Sequence, residues 1–334
     1  MERLIVDTQG SRLRKEGGRL LVRRDGETLD SVPLASLNQV ILMGRGVSAS
    51  TPLLYDLVRR GVDVVYQSQR GRFGFRLVGP VSKHSALRSQ QVLVAADAGR
   101  ALSLARAIVG GKLHNQGVVL RHYGRELGQQ GQRALGTIRQ QMSRAEQAST
   151  LDSLRGHEGS GAAAYFATWP ALFDAERWGF RGRAYHPPPD PTNAMLSFGY
   201  TLLLNDAIGA LYRIGLDPTI GFYHTIDYGR PSLGLDLEEE FRPVLVDRLV
   251  LRLLRQGAVQ PSDFQRAEGG SGIVMSDDAR QLFLRCYEEQ LGVKVRYHTL
   301  DLNLSYRQCI DKQAEHVARC ILGQDEAYEP LLIL

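Results

Sequence analysis

Residues 73–96 read FGFRLVGPVSKHSALRSQQVLVAA, and the character of the chain changes across them. Phe73–Val78 alternates as a strand does, Gly79-Pro80 stops it, and from Val92 onward apolar residues recur at helical spacing. Upstream, Leu4–Asp7, the run around Leu13, Leu20–Arg24, Gln39–Met43 and Val62–Tyr66 read as short strands. Turn pairs separate them at Gln9-Gly10, Gly17-Gly18 and Asp25-Gly26. One helix interrupts the strands, with Thr51 as N-cap, Pro52 at its first position and Gly61 at its end. Downstream, helical periods cover Val92–Gln140, with breaks expected at Gly110-Gly111 and Gly124. Further helices are expected over Asn193–Ile214, ended by Gly215, and over Leu233–Leu254, Asp277–Leu291 and Tyr306–Ile321. PPPDP at Pro187–Pro191 marks a stiff loop. The expected fold class is α+β. A small N-terminal β-rich domain spans 1–80, a polar linker 81–90, and a larger all-α domain 91–334.

A length of 334 residues suits two domains, and 43% apolar with 23% charged residues excludes a disordered or fibrous chain. No uninterrupted apolar run approaches the roughly 18–20 residues of a membrane span. The most apolar stretch, Leu202–Leu211, is broken by Asn205 and Asp206, so no membrane association is expected. MERLIVDTQG has no charged-then-apolar leader, which argues against secretion. Cys286, Cys309 and Cys320 form no CxxC pair. That argues against a disulfide scaffold or a cysteine zinc site, and points to a reducing cytoplasm.

The net charge of +5 hides an asymmetry. Residues 1–150 carry 23 Lys and Arg against 11 Asp and Glu, while residues 151–334 carry 18 against 25. A basic front half suits a polyanion and an acidic back half suits a cation; chance surface composition would give the same sums. His114, Arg121 and Arg125 fall on one helical stripe, which can track phosphates or merely form a solvated face.

Three segments gather polar, metal-competent residues. In LRGHEGSGAAAYF (154–166), Glu158 sits between Gly156 and Gly159, just ahead of an alanine-rich helical start. Small neighbours let a bulky ligand approach that carboxylate, although a capping Glu would look the same. In GFYHTIDYGRPSL (221–233), His224 is a candidate ligand, with Asp227 and Arg230 on the same loop; a hydrogen-bonded structural histidine is the alternative. In LDLEEEFRP (235–243), Asp236, Glu239 and Glu240 stand at i, i+3 and i+4 and can share one helical face. They also suit a solvated acidic first turn. Pro243 must kink that helix or open a new one. Oxygen donors with one imidazole suit Mg²⁺ or Mn²⁺, and such an ion beside a phosphate-binding surface serves phosphodiester chemistry.

These segments, with DPTNAMLSFGYTLL (190–203), the longer GLDPTIGFYHTIDYGRPSL (215–233) and IVGGKLHNQ (108–116), resemble the CRISPR-associated integrase–endonuclease family of spacer acquisition, in its order and spacing. The resemblance covers most of the chain. It implies an N-terminal β-domain followed by a helical catalytic domain. It also implies a metal site of Glu158, His224 and Glu239 holding Mg²⁺ or Mn²⁺, with Asp236 as an outer ligand or a holder of the metal shell. Many members carry Asp where Glu239 stands. Arg230 occupies a stretch where members carry a basic residue, so a phosphate contact is expected of it. The implied activity is insertion of spacer DNA into a repeat by 3′-hydroxyl attack on a phosphodiester, with hydrolysis when water attacks. The implied partners are double-stranded DNA (prespacer and CRISPR repeat), a second copy forming a homodimer, and a small ferredoxin-fold Cas protein. A plain metal-dependent nuclease would share the metal site, and a DNA-binding scaffold with a structural acidic cluster is the competing reading from another class.

Overall fold

The computed structural model describes residues 2–69, 73–79, 84–184, 187–267, 270 and 272–333. The chain divides into two compact units, Met1–Lys83 and His84–Leu334.

The first unit is strand-rich: β1 (Glu2–Val6), β2 (Arg12–Glu16), β3 (Arg19–Arg24), β4 (Glu27–Pro33), β5 (Leu37–Met43), β6 (Ser48–Ala49), helix α1 (Thr51–Arg59), β7 (Asp63–Gln67) and β8 (Phe73–Leu77). They form two four-stranded sheets, ordered β1-β5-β7-β8 and β4-β3-β2-β6. β1, β5 and β7 pair in parallel, and β8 closes that sheet antiparallel. A parallel strand covered on both faces needs a near-continuous apolar run. LNQVILM in β5 supplies one and is buried at all but one position. Leu13, Leu20, Val40, Leu53 and Val64 meet in the core of this unit. β4 was not anticipated: ETLDSVP is mostly exposed and polar, as an edge strand can be. α1 starts at Thr51 itself, so its N-cap is Ser50, one residue before the expected Thr51, and Pro52 stands in its first turn.

The second unit is mostly helical: α2 (Ser85–Ala96), α3 (Ala98–His122), α4 (Gly124–Glu146), α5 (Leu151–Phe166), α6 (Pro191–Ile214), α7 (Ser232–Glu238), a π-helical segment (Arg242–Asp247) and α8 (Arg248–Arg255). Then follow β9 (Phe264–Arg266), β10 (Ile273–Met275), α9 (Asp277–Gly292), β11 (Lys294–Tyr297), β12 (Leu302–Ser305) and α10 (Tyr306–Ile321). The α+β class stands, but this unit is not all-α, because β9/β10 and β11/β12 form two antiparallel hairpins.

Several local expectations need correction. The linker placed at 81–90 is helical from Ser85, while 81–83 lie outside the described residues. The polarity there misleads because this end of α2 is mostly exposed, with only Leu87 buried among 85–90; just beyond it, Gln91 is buried, donating to the Asp217 and Ile220 carbonyls (2.8 Å each) and accepting from Asp217 N–H (2.9 Å). α3 runs unbroken through Gly110-Gly111 and ends just before Gly124, so only the second expected break occurs. α6 is long and apolar enough to cross a membrane by length and composition, but 78% of its apolar window is buried within the protein. Its Asp206 accepts a hydrogen bond from Tyr287 (2.7 Å), as a core helix requires of a buried carboxylate. Gly215 ends α6 in the left-handed region (φ 94°).

The expected Leu233–Leu254 helix is three pieces. α7 stops at Glu238, a turn follows, and Arg242–Asp247 is π-helical before α8 resumes. Pro243 lacks the N–H that a continuous α-helix needs, and the wider π turn absorbs the fault.

Candidate active site

The site is assembled from α3, α5, the loop after α6, and the end of α7. Thr150 caps α5 through Ser153 N–H (3.2 Å), so α5 begins well before the alanines and Glu158 lies in mid-helix, not ahead of the helical start expected there. A Cβ on Gly161 would strike Leu113 Cδ2 on α3, so this glycine permits the close α3–α5 approach. That approach brings Lys112 Nζ to 2.5 Å from Glu158 Oε1. Lys112 also lies 2.6 Å from Glu239 Oε2. Two carboxylates from distant parts of the chain thus face one ammonium.

Asp236 organises the loop that carries His224. It is fully buried and accepts from the backbone N–H groups of Phe222 (2.6 Å), Tyr223 (3.0 Å) and His224 (2.8 Å). A Cβ on Gly221 would lie 2.7 Å from the Ser232 carbonyl carbon and 2.9 Å from Asp236 Oδ2, so only glycine lets this loop wrap the carboxylate. The His224 Nδ1–H donates to Asp236 Oδ1 (2.7 Å). This leaves the lone pair on Nε2, which faces Glu239 Oε1 at 3.7 Å, beyond a hydrogen bond. Asp236 is therefore a positioning residue behind the histidine.

Glu239 Oε1 also accepts from Arg242 Nη1 (2.5 Å), and Arg242 Nη2 donates to Glu238 Oε1 (2.5 Å). Burial pushes Glu239 up, but the Arg242 guanidinium and the Lys112 ammonium outweigh it and hold the carboxyl below the usual carboxylate range. Burial carries Glu238 the other way, to about 7, against the pull of Arg242. Tyr223 OH donates to Glu158 Oε2 at 3.5 Å, and burial followed by the Glu158 charge raises that phenol. Arg155 steadies the loop by donating to the Tyr223 carbonyl and Thr225 Oγ1 (3.1 Å each).

Glu240 does not join this face. It turns toward α10, accepting from Gln313 Nε2 (3.1 Å), Tyr328 OH (2.9 Å) and Leu331 N–H (2.7 Å). The turn after α7 breaks the i, i+3, i+4 geometry expected for Asp236, Glu239 and Glu240. The basic stripe is also divided. His114 donates from Nε2 to the Ile333 carbonyl (3.0 Å), while Arg121 and Arg125 are exposed on either side of the α3–α4 break. Arg230 is half-buried, in a turn closed by its N–H on the Asp227 carbonyl (3.1 Å).

Glu158, His224 and Glu239 fit a divalent cation: two carboxylates converge where the chain places a positive charge, and an imidazole nitrogen with no hydrogen bond faces one of them. Gly159 would meet nothing if it carried a Cβ, so the approach to Glu158 is open on that side. A cavity of about 510 Å³ opens there, lined in part by Lys112, Glu158, Arg181, Arg183, Tyr200 and Arg242. His316, Cys320 and Asp325 also bring donor atoms within 4.8 Å, but Arg319 already pairs with Asp325 (2.7 Å). Lys112, Arg242 and Tyr223 escaped the sequence reading. IVGGKLHNQ contains Lys112 but its resemblance gives the lysine no role, and Arg242 follows Glu239 at i+3.

The model of the family described as CRISPR associated protein Cas1 matches residues 4–289. A CRISPR-associated endonuclease Cas1 of Rhodospirillum rubrum is 36% identical over 97% of this chain and 96% of its own. The chain belongs to the Cas1 family. Two solved structures share its fold. A casposase bound to integration product superposes with a TM-score of 0.85 at 20% identity, over 98% of this chain and 93% of that one. A Cas6-RT-Cas1–Cas2 complex superposes with a TM-score of 0.81 at 23% identity, over all of this chain and 36% of that one. In this chain that fold brings α3, α5 and the end of α7 together at Lys112.

Asp247, on the cavity wall, gives a pH prediction. Burial raises its carboxyl from 3.8 to about 6, although Tyr200 OH donates to it (2.6 Å). The folded state favours its proton, so its contribution to stability is present below about 3.8 and is lost as pH rises through about 6. Asp247→Asn should flatten the decline in melting temperature across that window. Equal slopes for both proteins would contradict the raised carboxyl.

Proposed function

We propose that this Cas1-family chain is a divalent-metal-dependent DNA endonuclease and integrase that inserts spacer DNA into a CRISPR array. The observation that carries the reading is the convergence of Glu158, Glu239 and the free Nε2 of His224, backed by Asp236. Glu158, His224 and Glu239 would hold one Mg²⁺ or Mn²⁺. Bound there, the ion would polarise the scissile phosphate and stabilise charge on its oxygens. The chain's own residues do the rest: Asp236 keeps the imidazole in the tautomer that can ligate, and Arg242 fixes the Glu239 carboxylate. The endonuclease name of the Rhodospirillum relative and the integration product held by the casposase support the reaction class. The reading extends to a homodimer working with a small ferredoxin-fold Cas partner, for which the Cas1–Cas2 complex is support, and to a cytoplasmic protein whose three cysteines are free. The test is divalent-metal-dependent joining of a 3′-hydroxyl donor duplex to repeat-containing DNA.

Arg121 and Arg125, with the basic first 150 residues, are read as a phosphate-contacting surface. DNA affinity should fall steeply with salt and depend weakly on sequence. Reversing both arginines to Glu should lower the logarithmic salt slope by about 2 while leaving Mn²⁺ binding unchanged. A flat salt dependence in the unaltered protein would remove this surface from DNA recognition.

A further inference from the structure

Lys112 stands at the centre of the candidate site, although the phosphodiester chemistry above assigns it no role. Its side chain is 10% exposed, and its ammonium pairs with Glu158 on α5 (2.5 Å) and with Glu239 after α7 (2.6 Å). These are the two carboxylates read above as metal ligands. Mg²⁺ holds oxygen at about 2.0–2.1 Å, and at such range an ammonium and a divalent ion on the same two oxygens repel strongly.

We propose that Lys112 is the resident counter-cation of the metal site: it joins Glu158 to Glu239 when no divalent ion is bound, and leaves both carboxylates when one binds. The inference rests on Glu158 and Glu239 being ligands. Without a cation, two facing carboxylates in a mostly buried site would repel and lose hydration together, which is costly. Arg242 cannot substitute, because it grips the other oxygen of Glu239 and is tied to Glu238. Lysine suits exchange: its charge rides on a flexible four-carbon stem, so the head can withdraw while the stem stays packed. The 510 Å³ cavity, which Lys112 itself lines, gives the head somewhere to go. The exchange keeps the metal-free fold intact and lowers metal affinity by the work of displacing the ammonium.

Calorimetric Mn²⁺ titration and thermal melts of Lys112→Met and Lys112→Gln test this. Both should bind Mn²⁺ about tenfold more tightly than the unaltered protein and melt lower without metal, with the melting gap closing at saturating Mn²⁺. Folded variants with equal or weaker affinity would overturn displacement. The unaltered protein supplies a test that needs no variant to fold. The chain has only five lysines, so the ¹⁵Nζ signal of Lys112 can be followed directly. Mg²⁺ should shift it and spare the other four. If the protein binds no Mn²⁺, or His224→Ala leaves binding unchanged, the metal site itself is wrong and displacement falls with it. If the metal binds and the Lys112 signal does not move, displacement alone fails.

Discussion

Glu158→Ala should abolish divalent-metal-dependent DNA cleavage and joining while leaving the melting temperature near that of the unaltered protein. Several kcal/mol of transition-state stabilisation are at stake, which is on the order of a thousandfold in rate. The fold should survive because Lys112 keeps its second partner, Glu239, and the Glu158 side chain is not fully buried. His224→Ala should behave alike, since Asp236 still accepts three backbone N–H groups after the imidazole is gone. Glu239→Ala is a poorer probe. It strips a buried carboxylate from between Lys112 and Arg242 and should cost about 3–5 kcal/mol of stability, so inactivity there does not separate lost metal from lost fold. Activity in Mn²⁺, read alongside thermal melts of each variant, checks the set. Full activity in a well-folded Glu158→Ala protein would show that the metal site has been assigned to the wrong residues.

The three candidate ligands lie in segments of local peculiarity, with glycines around Glu158, an apolar run ending at His224 and an acidic run at Glu239, but only the family resemblance singles out Glu239 within its acidic run. Their partners are less legible. The Lys112 pairs join α3 to α5 and to the end of α7, and no spacing rule reaches across that separation. The role of Asp236 is not legible in sequence, because the wrapping of the loop around it depends on Gly221 and three backbone N–H groups rather than on a side-chain pattern. Helical periodicity misplaced Glu240 because it assumes 3.6 residues per turn, and the chain abandons that period after Glu238. In the first unit the buried parallel strand β5 was plain, whereas the exposed edge strand β4 had no apolar face to announce it. The first turns of α2, residues 85–90, read as linker for a related reason: among them only Leu87 is buried, so the segment has almost no apolar face to announce a helix.

Donor duplexes with free 3′-hydroxyl ends should be joined to repeat-containing target DNA in Mg²⁺ or Mn²⁺, with the small Cas partner present. The expected effect of blocking the end is complete loss of joining. An integrase must bring two DNAs together, one supplying the attacking oxygen and the other the phosphodiester. A hydrolase needs one DNA and water. Both would use Glu158, His224 and Glu239, so substituting the ligands cannot distinguish them; the donor end can. A 3′-phosphate or dideoxy end removes the attacking hydroxyl without touching the protein. Joined product should therefore vanish with blocked donors, while strand cutting by water persists, because the residues that prepare the target phosphate are unchanged. Glu158→Ala serves as the control in which both products disappear. The readout is a labelled donor strand followed on a denaturing gel, where joined product runs longer than the donor and hydrolysed target runs shorter than its parent. If matched donors with free 3′-hydroxyl ends yield only shortened strands, integration is the wrong assignment and the chain is a metal-dependent nuclease on the Cas1 fold.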